Sequence, residues 1–241
     1  MAPYSVEKYF PLWHWTKVKA SQVKHCFQEW FEEWGLPDCI RFDNGKPWAN
    51  PGQRHVPTAL SLWLIGLGIQ VVFGRPRQST DNAVVERSHG VLTHWVEPDQ
   101  RQGLADLQRG LHQFVHIQRA VYPSCQGRSR LETYPELMQS KRRYRRDQDE
   151  ILWQLQRVMD YVSTLHFQRM VEKNGRITHM TQEYSVGRQY AAQHVTVFLD
   201  AQTHQWVIED RHGEILKRFD ANQLNYLTIS QLKMAYRNGI T

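Results

Sequence analysis

Apolar residues recur at helical spacing along 19–34 of this chain. Intervals of three and four residues between them predict an amphipathic helix, and the Gly-Leu-Pro sequence at 35–37 is typical of a helix terminus. The preceding run, 6–15, is rich in aromatic residues and extended in character, although Pro11 favours an edge strand or a bend there. An extended segment followed by a helix is therefore expected at the start.

Strand-like and helical patterns alternate between 38 and 95. Short apolar runs with strand character are separated by longer segments with helical periodicity. This rhythm predicts an α/β sheet. The predicted elements are a strand ending at Asp43, a polar loop to about Gln53, a helix over 56–66, a strand over 69–73, an irregular basic loop over 75–79 and a helix from about Asp81 to Trp95.

The pattern of apolar and charged residues changes twice in the second half of the chain. A helical stripe over 104–121 is followed by 127–146, where Lys and Arg greatly outnumber the acids, and then by a predicted helix over 149–161. Short strand-like runs separated by turn residues over about 165–228 predict a small antiparallel β-barrel. The predicted division is a core over 1–140, a basic helical linker over 141–164, a barrel over 165–230 and a tail over 231–241.

The charge composition favours a polyanionic partner. With 30 Lys and Arg against 24 Asp and Glu, the formal net charge is +6 and the pI is about 9.3, which favours nucleic acid as the first candidate. Three cysteines without a CxxC pair argue against a disulfide framework or a cysteine zinc site, and favour a reducing, intracellular setting. We expect no membrane segment, because the longest apolar run, 60–73, is interrupted and too short to cross a bilayer, and no signal peptide.

Two carboxylates stand where a divalent metal site would need them. Asp43 ends a strand, and Glu86 lies in the second turn of a helix that follows a strand and a basic loop. Hard carboxylate oxygens on rigid elements are what Mg²⁺ or Mn²⁺ requires. Each residue also has a plainer interpretation, because Asp43-Asn44-Gly45 is a common turn sequence and Glu86 suits a solvated helix surface.

The two stretches together carry a resemblance. The chain has Asp43-Asn44-Gly45 after a strand, Leu-Gly-Ile at 67–69, a strand, an Arg-Pro loop, and Asn82 four residues before Glu86-Arg87 with His89 following. In this order they resemble the catalytic core of insertion-sequence transposases and retroviral-type integrases, over about 6–140. The segment 173–187 resembles the start of the Src-homology-3-like barrel that follows this core in such transposases. The resemblance implies a ribonuclease H-like fold and DNA transposition or integration by metal-dependent strand transfer.

The resemblance also assigns roles to individual side chains. Asp43 and Glu86 match the second and third acids of an Asp, Asp, Glu triad that binds two Mg²⁺ or Mn²⁺ ions. Basic residues near this site and in the linker would hold DNA phosphates without sequence preference, although a run such as KRRYRR is in many proteins simply a solvated face. The implied DNA-contacting residues are Arg75, Arg77, Asn82, Arg87, Lys141, Arg142, Arg143, Arg145 and Arg146.

The implied partners are transposon-end and target DNA, together with a second copy or a full-length transposase. The implied location is bacterial, cytoplasmic and nucleoid-associated. Two smaller departures from the family pattern are Asn82-Ala83, where relatives usually have Asn-Gly, and Thr93, where many relatives have a Lys or Arg that touches DNA.

The first acid of the triad has no counterpart in this sequence. Asp38 is the one Asp before Asp43, and it lies on the same segment, so it cannot supply a carboxylate from the middle of the sheet. The sequence therefore predicts a core without its first strands, as in a truncated copy. Two hypotheses follow: a transposase whose missing acid comes from residues outside this reading frame, or a catalytically inactive DNA-binding remnant or oligomerisation partner of a full-length transposase.

Overall fold

The computed structural model describes residues 19–49, 56–74, 83–138 and 140–234, with the backbone alone at 83–86, 88 and 89. Helices and strands are mixed along the chain, as predicted. The α-helices are α1 (Ala20–Trp34), α2 (Ala59–Gly66), α3 (Ala83–Val96), α4 (Leu104–His116), α5 (Arg130–Thr133), α6 (Asp149–Leu152), α7 (Leu155–Ser163) and α8 (Tyr226–Ser230). The strands are β1 (Cys39–Phe42), β2 (Gln70–Phe73), β3 (His166–Met170), β4 (Arg176–His179), β5 (Gln182–Ser185), β6 (His194–Asp200), β7 (Gln205–Glu209) and β8 (Ile215–Asp220).

The predicted first helix is confirmed as α1. Its apolar stripe buries Val23, Phe27 and Phe31, which lie three to four residues apart on one face. Gly35 ends the helix with φ +79°, and its N–H donates to the Phe31 carbonyl at 2.8 Å. A Cβ at this position would lie 2.7 Å from the Arg142 carbonyl oxygen, so both the backbone angle and the close approach of 140–142 require glycine. The extended run predicted over 6–15 lies outside the described residues.

The segment from β1 to β2 forms a β-α-β unit. The two strands pair in parallel from Cys39 opposite Gln70 to Phe42 opposite Phe73, close to the predicted limits. All residues of α2 are buried, because the helix is apolar on every side. It starts at Ala59, later than predicted, since the Thr58 hydroxyl accepts the Ser61 N–H at 3.2 Å as an N-cap.

A smaller hydrophobic cluster joins the next two helices. Leu92 and Val96 of α3 pack with Leu111 and Phe114 of α4. Both helices lie close to their predicted positions, although the stripe predicted to continue to 121 ends in a π-helical turn, Ile117–Val121.

The C-terminal strands were predicted to close into a barrel, and the described strands do not. They form an open four-stranded antiparallel sheet in the order β3-β6-β7-β8, and β4 pairs separately with β5. Closure requires a pairing between the outer strands, and β3 and β8 remain at opposite edges of the sheet. The strand β5 was not predicted, because its sequence QEYS is largely polar.

A buried histidine lies beneath this sheet. The ring of His179 is only 1% exposed and packs edge-on against Trp206, with centroids 4.3 Å apart, and against Phe167 at 4.7 Å. Its Nδ1 lies 3.4 Å from Nη2 of Arg169. Burial, and to a lesser extent the Arg169 charge, lower the pKa of His179 to about 3, so the imidazole is neutral at physiological pH.

The halves of the chain share one core. A single cluster of buried side chains includes α1, α2, α7 and the C-terminal sheet. The helix predicted over 149–161 is divided into α6 and α7, because the Gln154 N–H donates to the Gly66 carbonyl at 2.9 Å and the Trp153 ring lies directly on Gly66. Buried side chains before 140 and after 164 belong to this cluster, and the predicted domain limits stay a prediction.

Candidate functional site

Asp43 lies at the carboxyl end of a parallel strand. It follows β1 directly, and the Gly74 N–H, just beyond β2, donates to the Phe42 carbonyl at 2.9 Å. The two strand ends are thus side by side at one edge. In open α/β sheets this is the edge at which ligands bind, because loops and helix ends converge there.

The side chains of the Asp43-Asn44-Gly45 turn hold the two strand ends together. The Gly45 N–H donates to Oδ1 of Asp43 at 3.1 Å, and Nδ2 of Asn44 donates to the Gly74 carbonyl at 2.7 Å. Asp43 is exposed, and its Oδ2 makes no hydrogen bond with the described residues. The turn interpretation is therefore correct, and within the described residues it leaves Oδ2 of Asp43 without a hydrogen bond.

A tryptophan anchors this loop on the core. The Trp48 ring stacks on Phe42 with centroids 4.5 Å apart and planes only 7° from parallel. The Trp48 carbonyl accepts the hydroxyls of Thr58 at 3.1 Å and Ser61 at 2.9 Å. The loop that carries Asp43 is therefore fixed at its far end to both β1 and the start of α2.

Glu86 belongs to α3, whose backbone the structure describes at this point without the side chain. Arg75, Arg77 and Asn82 lie outside the described residues. Among the side chains that the structure does describe, no group of three or more His, Cys, Asp or Glu is placed to hold a metal ion. The pairing of Asp43 with Glu86 stays a prediction.

The predicted DNA-contacting residues that the structure describes differ in accessibility. Arg87, Lys141 and Arg143 are exposed. Arg145 forms a two-point pair with Asp147, from Nε to Oδ1 at 3.0 Å and from Nη2 to Oδ2 at 2.8 Å. Its charge is therefore matched locally by a carboxylate.

Two other arginines of the KRRYRR run are occupied within the chain. Arg146 lies 3.6 Å from the Glu32 carboxylate of α1. Arg142 is half-buried and donates from Nη1 to the carbonyls of Pro37 at 3.1 Å and Gly68 at 2.9 Å, and from Nη2 to that of Leu67. Burial lowers the pKa of Arg142, and the nearby Asp38 opposes that shift. The run is thus divided between exposed cations and cations that stabilise the fold.

Tyr144, in the middle of the basic run, points into the core. Its hydroxyl donates to Oδ1 of Asp149 at 2.8 Å, and the same carboxylate accepts Nε1 of Trp63 and the Tyr226 hydroxyl on Oδ2, at 2.9 and 3.0 Å. Nζ of Lys24 completes this Asp149 cluster at 3.9 Å. Four side chains, three of them from distant parts of the chain, therefore meet at one buried carboxylate.

The pKa shifts in the Asp149 cluster follow from its burial. Burial lowers the pKa of Lys24, and the Asp149 charge opposes that shift. Burial and the adjacent Asp149 charge raise the pKa values of Tyr144 and Tyr226 well above the ordinary range, so both tyrosines act as neutral donors. Sequence reasoning missed this cluster; the one local signal was an aromatic residue inside a run of arginines.

A scan of the chain against protein-family models gave no match. Within the described residues, no helix combines the length and the apolar character needed to cross a membrane.

Proposed function

We propose that this chain takes part in DNA transposition or integration by metal-dependent strand transfer, contributing Asp43 and Glu86 to the metal site. The observation that supports this proposal best is the position of Asp43. It stands at the carboxyl end of a parallel strand, on an anchored loop, with one carboxylate oxygen that makes no hydrogen bond with the described residues. Asn44 ties it to Gly74, from which the chain continues towards Arg75, Arg77, Asn82 and Glu86.

The donor chemistry of these residues suits Mg²⁺ or Mn²⁺, which prefer carboxylate oxygens. Asp43 and Glu86 would hold the metal, which when bound would activate water or a DNA 3′-hydroxyl and stabilise the leaving oxygen. Exposed Lys141 and Arg143 would neutralise DNA phosphates. Arg142 contributes charge to this surface while its guanidinium remains bound to backbone carbonyls.

Two acids of three should hold a second metal poorly, because one anionic ligand is missing. We therefore expect the purified chain alone to bind Mn²⁺ weakly and to join no DNA ends. Joining is expected only when a second polypeptide supplies the first acid.

A second candidate function is DNA binding without catalysis, as a partner of a full-length transposase. The hydrogen bond from the Gly45 N–H to Oδ1 favours it, because it gives Asp43 a structural role that needs no metal. In that case metal affinity and Asp43 are unrelated.

Matched carboxylate variants separate the two candidates. Asp38→Asn is the control for Asp43→Asn, because Asp38 is exposed at the opposite end of β1. Mn²⁺ binding by calorimetry is measured for both, and for Glu86→Gln. Loss of Mn²⁺ binding in Asp43→Asn and Glu86→Gln, but not in Asp38→Asn, supports the metal site on which strand transfer depends. DNA binding that persists with no metal affinity in any protein supports the partner role.

A further inference from the structure

A groove lined by three arginines lies on the surface between the end of α2 and helices α6 and α7. Its volume is about 280 Å³, and Arg142, Arg143 and Arg157 line it together with the apolar side chains of Leu36, Leu67 and Ile151. No carboxylate is among the described residues that line it. The nearest acid partner, Asp38, lies 3.8 Å from Nη1 of Arg142 with its own side chain 95% exposed to solvent.

Two of these guanidinium groups are held close together by the carboxyl end of α2. Arg142 donates to the carbonyls of Leu67 and Gly68, and Nη1 of Arg157 donates to that of Gly66 at 3.0 Å. The C-terminal end of a helix carries partial negative charge and attracts cations. Gly68, at φ +75°, leaves room for both groups, since a Cβ there would lie 2.9 Å from Arg157 and 3.0 Å from Arg142.

The backbone carbonyls do not use all the donors of these arginines. Arg142 donates both Nη1 hydrogens and one Nη2 hydrogen to backbone carbonyls. Its Nε–H has no acceptor among the described residues. Arg157 donates only from Nη1, and Arg143 makes no hydrogen bond with the described part of the chain. Positive charge and free N–H donors are therefore concentrated in the groove.

We propose that this groove, which we call the Arg142–Arg157 groove, binds one phosphate group of a nucleic-acid strand. A planar guanidinium presents paired N–H donors that match phosphate oxygens, and two such groups with a common opening fit that anion better than flexible surface lysines do. The apolar wall, with Ile151 80% exposed at its rim, offers a surface for the adjoining sugar. The inference rests on the proposed function, because DNA is the source of the phosphate; a free phosphate compound is the other source of the same chemistry.

A charge introduced at the rim tests the groove without removing any arginine. Ile151→Glu places a carboxylate beside the guanidinium groups, and Ile151→Gln is its neutral control of the same shape. Arg143→Gln removes an exposed groove cation, and its control, Arg109→Gln, removes an exposed cation of α4 that already pairs with Asp106 at 3.3 Å. Folding of each variant is checked by circular dichroism and the unfolding midpoint.

Affinity for a short labelled DNA duplex is measured by fluorescence anisotropy over a range of salt concentrations. Ile151→Glu and Arg143→Gln should weaken binding about tenfold, as expected for the loss of one charge-assisted contact. Arg143→Gln should also reduce the slope of log affinity against log salt by about one. Ile151→Gln and Arg109→Gln should stay within about twofold of the unaltered chain.

The outcomes distinguish this inference from the proposed function. If the chain binds duplex DNA and each test variant equals its control, the groove is not a phosphate site, while DNA binding stands. If DNA does not bind but inorganic phosphate raises the unfolding temperature, and Ile151→Glu abolishes that rise, the groove holds free phosphate and the proposed function fails. If neither DNA nor phosphate binds, both are overturned.

Discussion

Replacing Asp149 with alanine should remove a large part of the stability of this protein. The Asp149 carboxylate accepts hydrogen bonds from Trp63, Tyr144 and Tyr226, and it lies 3.9 Å from Nζ of the half-buried Lys24. Alanine leaves these donors without an acceptor and the ammonium without a counter-charge. Breaking a buried ion pair from one side costs about 3–5 kcal/mol, and the unsatisfied hydroxyls bring the cost towards the upper end.

Urea unfolding followed by tryptophan fluorescence measures this loss. Asp147→Asn is the matched control, because Asp147 is exposed two positions away and its one ion pair among the described residues is with Arg145. It should change the free energy of unfolding by less than about 1 kcal/mol. Asp149→Asn keeps one acceptor oxygen, so its cost should fall between those of the alanine variant and the control.

A second substitution tests whether the Lys24 charge contributes to the loss of stability in Asp149→Ala. In the Asp149→Ala background, Lys24→Met removes the uncompensated ammonium, and it should restore about 1–2 kcal/mol. Lys24→Met alone should destabilise the protein. The reasoning is refuted if Asp149→Ala costs under about 1 kcal/mol, or if the two single losses simply add.

Two further predictions concern the backbone turn at Gly35 and the buried histidine. Gly35→Ala should destabilise the protein by about 1–3 kcal/mol, because of its φ of +79° and the contact with the Arg142 carbonyl; Gly90→Ala, in open space on α3, should be neutral or slightly stabilising in the same urea titration. The pKa of His179 is lowered in the folded protein, so only the unfolded chain takes up a proton there just below pH 6.5, the ordinary imidazole pKa. The free energy of unfolding should therefore fall as the pH decreases from about 6.5 towards 3, by up to about 1.4 kcal/mol per pH unit. His179→Phe should flatten this dependence between about pH 6.5 and pH 5; an unchanged slope would show that the imidazole is not the group responsible.

Local patterns were sufficient for most of the helices and strands, and not for the way in which they pack and pair. The spacing of Val23, Phe27 and Phe31 identified α1, and the short apolar run before Asp43 identified β1, because both signals lie within one element. The strand β5 was missed because it is polar. Closure of the predicted barrel depended on strand pairing between residues distant in sequence, which no local pattern specifies.

The candidate site shows the same division. Placing Asp43 at a strand end needed only its neighbours, and the structure confirms both that position and the turn. The half-buried position of Arg142 could not be predicted, because the carbonyls that hold its guanidinium, such as those of Leu67 and Gly68, are supplied by another part of the chain. Arg145 differs from Arg143 by its pairing with Asp147, a local contact that the basic run does not indicate by itself. In the sequence all three look like equivalent surface cations.

The Asp149 cluster has a consequence for synthesis on the ribosome. Lys24 and Trp63 are synthesised early, whereas Asp149, Tyr226 and Ser230 are synthesised late. The Lys24 ammonium donates to the Ser230 carbonyl at 2.7 Å across 206 positions. Until the late residues arrive, the early half would have to bury a charge and an indole N–H that have no partners. The N-terminal half should therefore stay incompletely packed during translation until α8 has been made. We expect folding to be slow and cooperative across nearly the whole described chain.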